Sequence, residues 1–369
     1  MRTIRQLIYG EVIAAIAFVA LGFLSLFFFF DFVDELQNIG KPGPAGTYLV
    51  THALMYVAML VPSHLYELMP ICVLIGTIFV MARLAQSSEY TILRTSGLGP
   101  WRALRTLLLL GMAFVVFTFA VGDYLSPLSD RTAQLLKARY QGKITVGQTG
   151  AWLKEKQPYN SYAANVSSLG ADGEMKGVRI FEFDNKGFLV SLTQAPVARF
   201  ADGGAWMLLN AERSEFASLV PDSAKVERLK LASYRWPTEI TAEMVSVALL
   251  KPDRMGTIDL FEYIQHLDAN GQTSQRYEIE FWRKVFYPLS CMVMVVLALP
   301  FAYLHFRAGG ITSYVFGGVL IGISFFLLNN VFGYIGNLQN WQPWLTAAAP
   351  GMIYSVVSLG AFGWLVLRR

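Results

Sequence analysis

The middle of the chain reads VRIFEFDNKGFLVSL, residues 178–192. Apolar and polar residues alternate in 178–183 and again in 188–192, with Asp184, Asn185 and Gly187 between the two runs. A period of two around such turn residues predicts an antiparallel hairpin. Gly- and Asp-rich turns at 171–173 and 202–204 predict further short strands. This spacing fits either a β-sandwich or a partly open barrel.

The block around this hairpin carries most of the charge in an otherwise apolar chain. Hydrophobic residues make up 54% and charged residues 15% of the sequence, and the mean hydropathy is +0.43. Acidic residues total 26, and most lie between Asp123 and Glu280. The net charge of +4 is too small to indicate nucleic-acid binding. The composition predicts a membrane protein with one water-facing domain.

Six apolar segments flank the block, three on each side, and about 20 residues suffice to cross a bilayer. They are 12–30, 63–82 with an interfacial lead-in at 48–60, 106–122, 285–304, and two segments within the uncharged stretch 308–367, divided at 337–344. No small-x-small cleavage site follows the first segment, so it is predicted to be a span and not a cleaved signal. Helices are predicted at 127–140 and 257–270, beside the β-block.

The predicted fold class is therefore an α-helical membrane protein with six transmembrane helices and an inserted all-β domain. The predicted domains are residues 1–126, 127–275 and 276–369. Arginines near the span ends all fall on one side, which the positive-inside rule assigns to the cytoplasm. They are Arg2, Arg5, Arg83, Arg94, Arg102, Arg105, Arg307, Arg368 and Arg369. Both termini are then expected in the cytoplasm and the β-block outside.

Motifs of catalysis are missing from the sequence. It contains no G-x-x-x-x-G-K-[ST] phosphate loop and no G-x-S-x-G elbow, and its four histidines are not at metal-ligand spacing. Both cysteines, Cys72 and Cys291, lie inside spans and read as small buried residues. We therefore expect no catalytic residue, no metal site and no cofactor, although an enzyme built from scattered carboxylates remains an alternative.

The loop between the second and third spans is a candidate for contact with a partner. Residues 87–97 read SSEYTILRTSG, in which a serine can cap a short helix, Glu89 favours its first turn and Gly97 can end it. Tyr90 and Leu93 would present an apolar edge for a groove on another protein. The alternative is a helix that rests on the bilayer surface. The residues assigned to this coupling helix are Ser88, Glu89, Tyr90, Leu93, Arg94 and Gly97.

Cations near the outer ends of the spans suggest an anionic lipid. Arg283 and Lys284 precede the fourth span against the positive-inside trend, and Arg131, Lys137 and Arg139 follow the third. Phosphates would meet these cations while acyl chains meet the phenylalanines of the first span. The alternative is that they only anchor helix ends. Gly318 and Gly322 have the small-xxx-small spacing of a close helix contact with a partner.

The chain resembles the LptF/LptG family of lipopolysaccharide export permeases over essentially its whole length. The resemblance rests on the order of three spans, β-domain and three spans, and on three motifs. These are FVDEL at 32–36, SE at 88–89 with SG at 96–97, and RY at 276–277 through FWRK at 281–284 to PLS at 288–290. Phe32-Val33-Asp34 is more like the LptG branch than the LptF branch.

This resemblance implies a periplasmic β-jellyroll and a role in extracting lipopolysaccharide from the inner membrane of a Gram-negative cell. It implies an LptF-type permease partner, an LptB-type ATPase dimer that binds the ATP and magnesium, and an LptC-type bitopic protein. The family's coupling helix corresponds to 88–97, with Glu89 at its acidic position. The family's lipid-facing cavity is built largely from spans one and five.

One departure from the family affects the expected lipid site. Some relatives have lysines after the first span, where this chain has Asp31, Gln37 and Asn38, with Lys41 as the next cation. The phosphate contacts are therefore expected to shift towards Lys41, Lys137 and Arg283. The residues assigned to the lipid are Phe27, Phe30, Asp31, Lys41, Lys137, Arg283, Lys284 and Gly318. Alternative functions are the paralogous LptF subunit, a permease for another lipid-anchored cargo, and a membrane enzyme or scaffold acting alone.

Overall fold

The computed structural model describes residues 2–43, 45–87, 89–95, 97, 99–141, 150–170, 173–201, 204–217, 225–242, 244–245, 252–303 and 311–364. The chain forms two compact units. The first comprises 1–34, 57–129 and 275–369, and the second comprises 35–56 and 130–274. Residues 35–56 were expected in the N-terminal membrane half, yet they group with the β-domain.

The helices have the following bounds. They are α1 Arg2–Leu36, α2 Val50–Gln86, α3 Glu89–Thr95, α4 Pro100–Ala120, a π-helical turn Val121–Leu125, α5 Ser126–Gln141, α6 Thr257–Ala269, α7 Gln275–Phe286, α8 Ser290–Ala298 with a 3₁₀ turn Leu299–Tyr303, α9 Ile311–Leu338 and α10 Pro343–Phe362. Among the described residues, five helices are long and apolar enough to cross a membrane, and the number is six if α7 and α8, which are bent by 46° relative to each other, count as one span. The predicted fold class is confirmed.

The apolar lead-in predicted before the second span is not a separate segment. Val50–Gln86 is one helix, with Pro62 and Pro70 inside it. A proline removes one backbone hydrogen bond, but neighbouring helices can satisfy the freed groups of a buried span. Residues 68–78 of α2, which include Pro70, are all buried.

Glycines let α1 and α9 approach α2 closely. A methyl group on Gly76 of α2 would lie 2.7 Å from Ile16 Cγ1 of α1. Methyl groups on Gly318 and Gly322 of α9 would lie 2.8 Å and 2.9 Å from Ile78 and Ile71 of α2. The small-xxx-small spacing in α9 therefore serves a contact within the chain, whereas the sequence analysis expected Gly318 to contact a partner.

The π-helical turn in the third span has a specific polar partner. Gly122 lies in Val121–Leu125, and the Lys284 ammonium donates to its carbonyl oxygen at 2.9 Å. A π-turn shifts the helical hydrogen-bond register and leaves backbone groups to be satisfied from outside. A side chain at Gly122 would overlap the Tyr66 ring, so this position needs glycine.

The second unit contains a six-stranded antiparallel sheet. Its strands follow in sequence order, each paired with the next. They are β3 Ala151–Lys156, β4 Asn160–Leu169, β5 Met175–Asp184, β6 Leu189–Ala201, β7 Ala205–Ala217 and β8 Lys225–Pro237, after a small hairpin of β1 Pro42–Gly43 and β2 Gly46–Thr47. The hairpin predicted at 178–192 is confirmed: the Asp184 carboxylate accepts from the Lys186 and Phe188 amides, and Gly187 has φ +84°.

The large sheet is strongly curled. The rings of Tyr162 in β4 and Trp236 in β8 have centroids 6.3 Å apart. Because adjacent strands are about 4.8 Å apart, these two strands would be separated by about 19 Å in a flat sheet. Thr238, just after β8, also donates to the Glu155 carboxylate of β3. Of the two predicted arrangements, these contacts favour the partly open barrel over two stacked sheets.

A buried carboxylate ties the curled strands together. Glu182 of β5 accepts from Asn160 at 2.7 Å, from Ser191 at 2.6 Å and from Arg213 of β7 at 2.9 Å. Burial alone would raise the pKa of Glu182, but the hydrogen bond from Ser191 and the charge of Arg213 outweigh it and lower the pKa. The ionised carboxylate is therefore a stabilising part of the native sheet.

We expect Gly318→Val to destabilise the protein, because the added methyl groups would overlap Ile78. Overpacking of this kind costs about 1–3 kcal/mol. Gly317→Val is the matched control, since a methyl group there meets nothing within 4 Å in the same helix. Thermal unfolding of the purified protein in detergent measures both. Equal unfolding midpoints for the two variants would contradict the close α9–α2 contact.

We expect Glu182→Gln to weaken the β-domain at neutral pH and to reduce its acid sensitivity. Because the folded-state pKa is lowered, the contribution of Glu182 is fully present above the unfolded-state pKa of about 4.3. It is lost as the pH falls through the folded-state pKa. The expected loss at pH 7 is about 1–3 kcal/mol. Thermal unfolding at a series of pH values tests this, with the exposed Glu212→Gln as a control that should change little.

Candidate functional site

The short helix predicted between the second and third spans is confirmed as α3, Glu89–Thr95. One side of it is fixed to the end of the fourth span. Tyr90 is only 4% exposed, and its hydroxyl donates to the Tyr303 hydroxyl at 3.0 Å. Their ring centroids are 5.1 Å apart in an edge-to-face arrangement, and the Arg94 guanidinium carbon lies 5.8 Å from the centroid of the Tyr303 ring.

The other side of α3 is exposed. Ile92 is 63% exposed, and Glu89 is exposed in the first helical turn. Gly97 has φ +101°, a conformation that suits glycine after a helix end. The prediction that Tyr90 forms the outward apolar edge is wrong, because Tyr90 packs inwards; Ile92 takes that place. Ser88 and the Leu93 side chain lie outside the described residues.

A polar pair links the first two spans. His64 Nε2 of α2 lies 2.7 Å from the Asp31 carboxylate of α1, and the Phe27 and His64 rings have centroids 4.9 Å apart. Within the part of the chain that the structure describes, the buried His64 Nδ1 has no hydrogen-bond partner. Phe30, one turn from Phe27, is 56% exposed. Nothing in the sequence pattern relates His64 to Asp31, so this pair was not predicted.

The two cations before the fourth span are engaged within the first unit. Lys284 is buried and bonded to Gly122 as described above. Arg283 donates to Glu280 at 2.8 Å and to the Asn329 carbonyl at 2.9 Å. Burial removes the Lys284 ammonium from the surface that a lipid phosphate would reach, so its assignment as a lipid contact is corrected to a structural role.

The remaining predicted lipid residues belong to the second unit. Lys137 of α5 forms an ion pair with the buried Glu35 at 2.9 Å, and its ammonium lies 4.5 Å from the centre of the Tyr56 ring. Asn38 donates to Glu35 at 3.0 Å and accepts from Lys41 at 2.8 Å. The lysines at 41 and 137 are therefore connected through Glu35 and Asn38, and Lys41 remains exposed.

Among the described residues, no three His, Cys, Asp or Glu side chains converge as a metal site. What the first unit offers is a charged and apolar helix face on α3, and a large apolar surface on α1 that includes Phe18, Phe29 and Phe30.

Comparison with known proteins gives a consistent result. A family model described as "Lipopolysaccharide export system permease LptF/LptG" matches residues 6–368. The lipopolysaccharide export system permease protein LptG of Escherichia coli strain K12 is 26% identical over 341 residues, covering 92% of this chain and 90% of that protein. LptG of Haemophilus influenzae is 24% identical over 372 residues, covering 100% of this chain and 99% of that protein.

We expect Lys284→Met to destabilise the protein even without added lipid, because it leaves the buried Gly122 carbonyl without its donor. An unsatisfied buried polar group costs about 1–3 kcal/mol. Lys41→Met removes an exposed lysine and should shift the unfolding midpoint little. Thermal unfolding of delipidated protein in detergent compares the two. An unchanged midpoint for Lys284→Met would show that its bond to Gly122 is not stabilising.

Proposed function

Because the chain belongs to the LptF/LptG family of lipopolysaccharide export system permeases, we propose that it is the transmembrane subunit of an ATP-driven complex that extracts lipopolysaccharide from the inner membrane. It is a multi-pass membrane protein. In this proposal both termini and α3 are cytoplasmic, the β-domain is periplasmic, and the subunit pairs with an LptF-type permease, as the LptG names of its relatives suggest.

The observation that carries this proposal is the exposed face of α3. The sequence contains no phosphate loop of its own, and the proposal therefore assigns the energy source to a separate ATPase. Glu89 and Ile92 give α3 one acidic and one large apolar exposed group. A short helix with such a face fits a groove on a partner. ATP and magnesium would bind to that partner, and this chain would bind no cofactor.

The lipid is proposed to lie against α1 and α9. Phe18 of α1 is 79% exposed, and Phe316 of α9 is 62% exposed, as are several other large apolar residues on both helices. Such surfaces suit acyl chains, or the matching helices of a second permease subunit. That cations such as Lys41 meet the phosphates remains a prediction from the sequence. An LptC-type protein would receive the lipid next.

The β-domain offers one open strand edge for that transfer. Along β3, Gln272 and Asn270 accept from the Lys154 and Lys156 amides, so side chains cover part of this edge. In the described part of the chain, β8 pairs with β7 alone, and residues 226–230 are exposed. An unpaired strand edge can add a strand from another protein. We propose that β8 is the edge where a neighbouring β-domain pairs.

We expect the purified chain to carry with it a P-loop ATPase, an LptF-type permease and lipopolysaccharide. Glu89→Lys and Ile92→Asp should each reduce the co-purified ATPase at least about tenfold, because each inverts the chemistry of the exposed α3 face. Gln339→Lys introduces a lysine in an exposed position between α9 and α10 and should retain the ATPase. Mass spectrometry of the extracted proteins and lipids provides the measurement.

Different results would point to the alternatives. Co-extraction of a lipoprotein in place of lipopolysaccharide would indicate a permease for another lipid-anchored cargo. Purification without any ATPase would indicate a membrane enzyme or scaffold that acts alone. Full retention of the ATPase by both α3 variants would remove α3 from the contact.

A further inference from the structure

We propose that Tyr303 is a positioning residue that, with Tyr90 and Arg94, transmits displacement of α3 to the fourth span. The inference rests on the proposed function, since it assumes that the ATPase moves α3. It goes beyond that function because it assigns the inner face of α3, and not only its exposed face, a part in energy coupling.

The contact is built as a firm connection. Tyr90 is 4% exposed and Tyr303 is 7% exposed, and the Tyr90 hydroxyl donates to the Tyr303 hydroxyl at 3.0 Å. Breaking this bond inside the protein would take away the acceptor of the buried Tyr90 hydroxyl, which is costlier than in water. The Arg94 guanidinium above the Tyr303 ring adds a cation–π contact. The two ends of α3 are thus held at one aromatic ring.

The covalent connection from α3 to α4 is a poorer transmitter. It passes through Gly97, with φ +101°, and Gly99, the N-cap of α4. Glycines lack a side chain that would restrict backbone rotation, so part of a push on α3 would be absorbed there, although the Arg102 guanidinium donates to the Gly97 carbonyl at 3.0 Å. The side-chain contact with Tyr303 bypasses this joint.

Tyr303 stands at the end of a well-packed span. It closes the 3₁₀ turn Leu299–Tyr303 that follows α8, in which most residues are buried. A methyl group on Gly111 of α4 would lie 3.2 Å from Met292 of α8, and Cys291 is 3.4 Å from Thr118 of α4. Packed interiors transmit displacement because they have little free volume. Movement at Tyr303 would therefore shift α8 and α4 together.

The test uses the purified complex of this chain with its ATPase and partner permease, reconstituted in liposomes that contain lipopolysaccharide. Tyr303→Phe and Tyr90→Phe remove one hydroxyl each, and Tyr303→Leu also removes the ring. Tyr354→Phe is the matched control, because its hydroxyl bonds to Ser324 at 2.6 Å between α9 and α10. The readouts are bound ATPase, ATP hydrolysis, and lipopolysaccharide released per ATP.

We expect the phenylalanine variants to retain the ATPase and its hydrolysis but to release at least about threefold less lipopolysaccharide per ATP, in keeping with the loss of one buried hydrogen bond. Tyr303→Leu should lose more, and Tyr354→Phe should match the wild type. A purely structural role for Tyr303 would lower the unfolding midpoint. It would reduce ATP hydrolysis and lipopolysaccharide release together, so the amount of lipopolysaccharide released per ATP would stay unchanged.

Two results would overturn the inference while the proposed function stands. One is an unchanged amount of lipopolysaccharide released per ATP in Tyr303→Leu. The other is loss of the bound ATPase from the phenylalanine variants, which would make Tyr90 a docking residue. Failure of the wild-type chain to bind any ATPase would instead refute the proposed function, and the inference with it.

Discussion

The close approach of α1 and α9 to α2 is the constraint on which the membrane unit depends. In a bilayer, lipid tails are as apolar as leucine, so helices associate through packing and polar contacts and not through exclusion of water. Gly76, Gly318 and Gly322 bring the helix backbones within reach of one another's side chains. The many contacts this allows are individually weak but add up. Residues 68–78 of α2 are consequently buried from end to end.

Polar groups in this unit follow a second constraint, that backbone and charged groups away from water must be satisfied internally. Lys284 meets it by bonding to Gly122 at the π-turn, and Arg283 by bonding to Asn329 and Glu280. Cations beside a span thus have two possible explanations, a ligand or a structural partner. Burial distinguishes the two explanations, and the burial of Lys284 indicates that its partner is structural. The Asp31–His64 pair satisfies the same constraint between α1 and α2.

Local patterns in the sequence were sufficient to predict the spans, α3 and the central hairpin, because each depends on the hydrophobicity or turn residues of one continuous segment. They were not sufficient for three residues whose neighbours come from distant parts of the chain. Tyr90 meets Tyr303, Gly318 meets Ile78 and Asp31 meets His64. An apolar edge or a small-residue spacing indicates that something packs there, but not whether the neighbour is lipid, a partner or the chain itself. The curl of the β-sheet was likewise left open, because it is defined by contacts such as Tyr162 with Trp236.

The two faces of α3 show how these constraints combine in one element. Its seven residues are too few to form a stable helix alone, because helices shorter than about 12 residues are marginal in water. Tertiary packing must therefore contribute, and the buried Tyr90 is packed against Tyr303 while Glu89 and Ile92 face outwards. The contact that buries one side of α3 is the same contact that joins it to the fourth span. On the inference proposed above, displacement of the outward face would act on the fourth span through this contact.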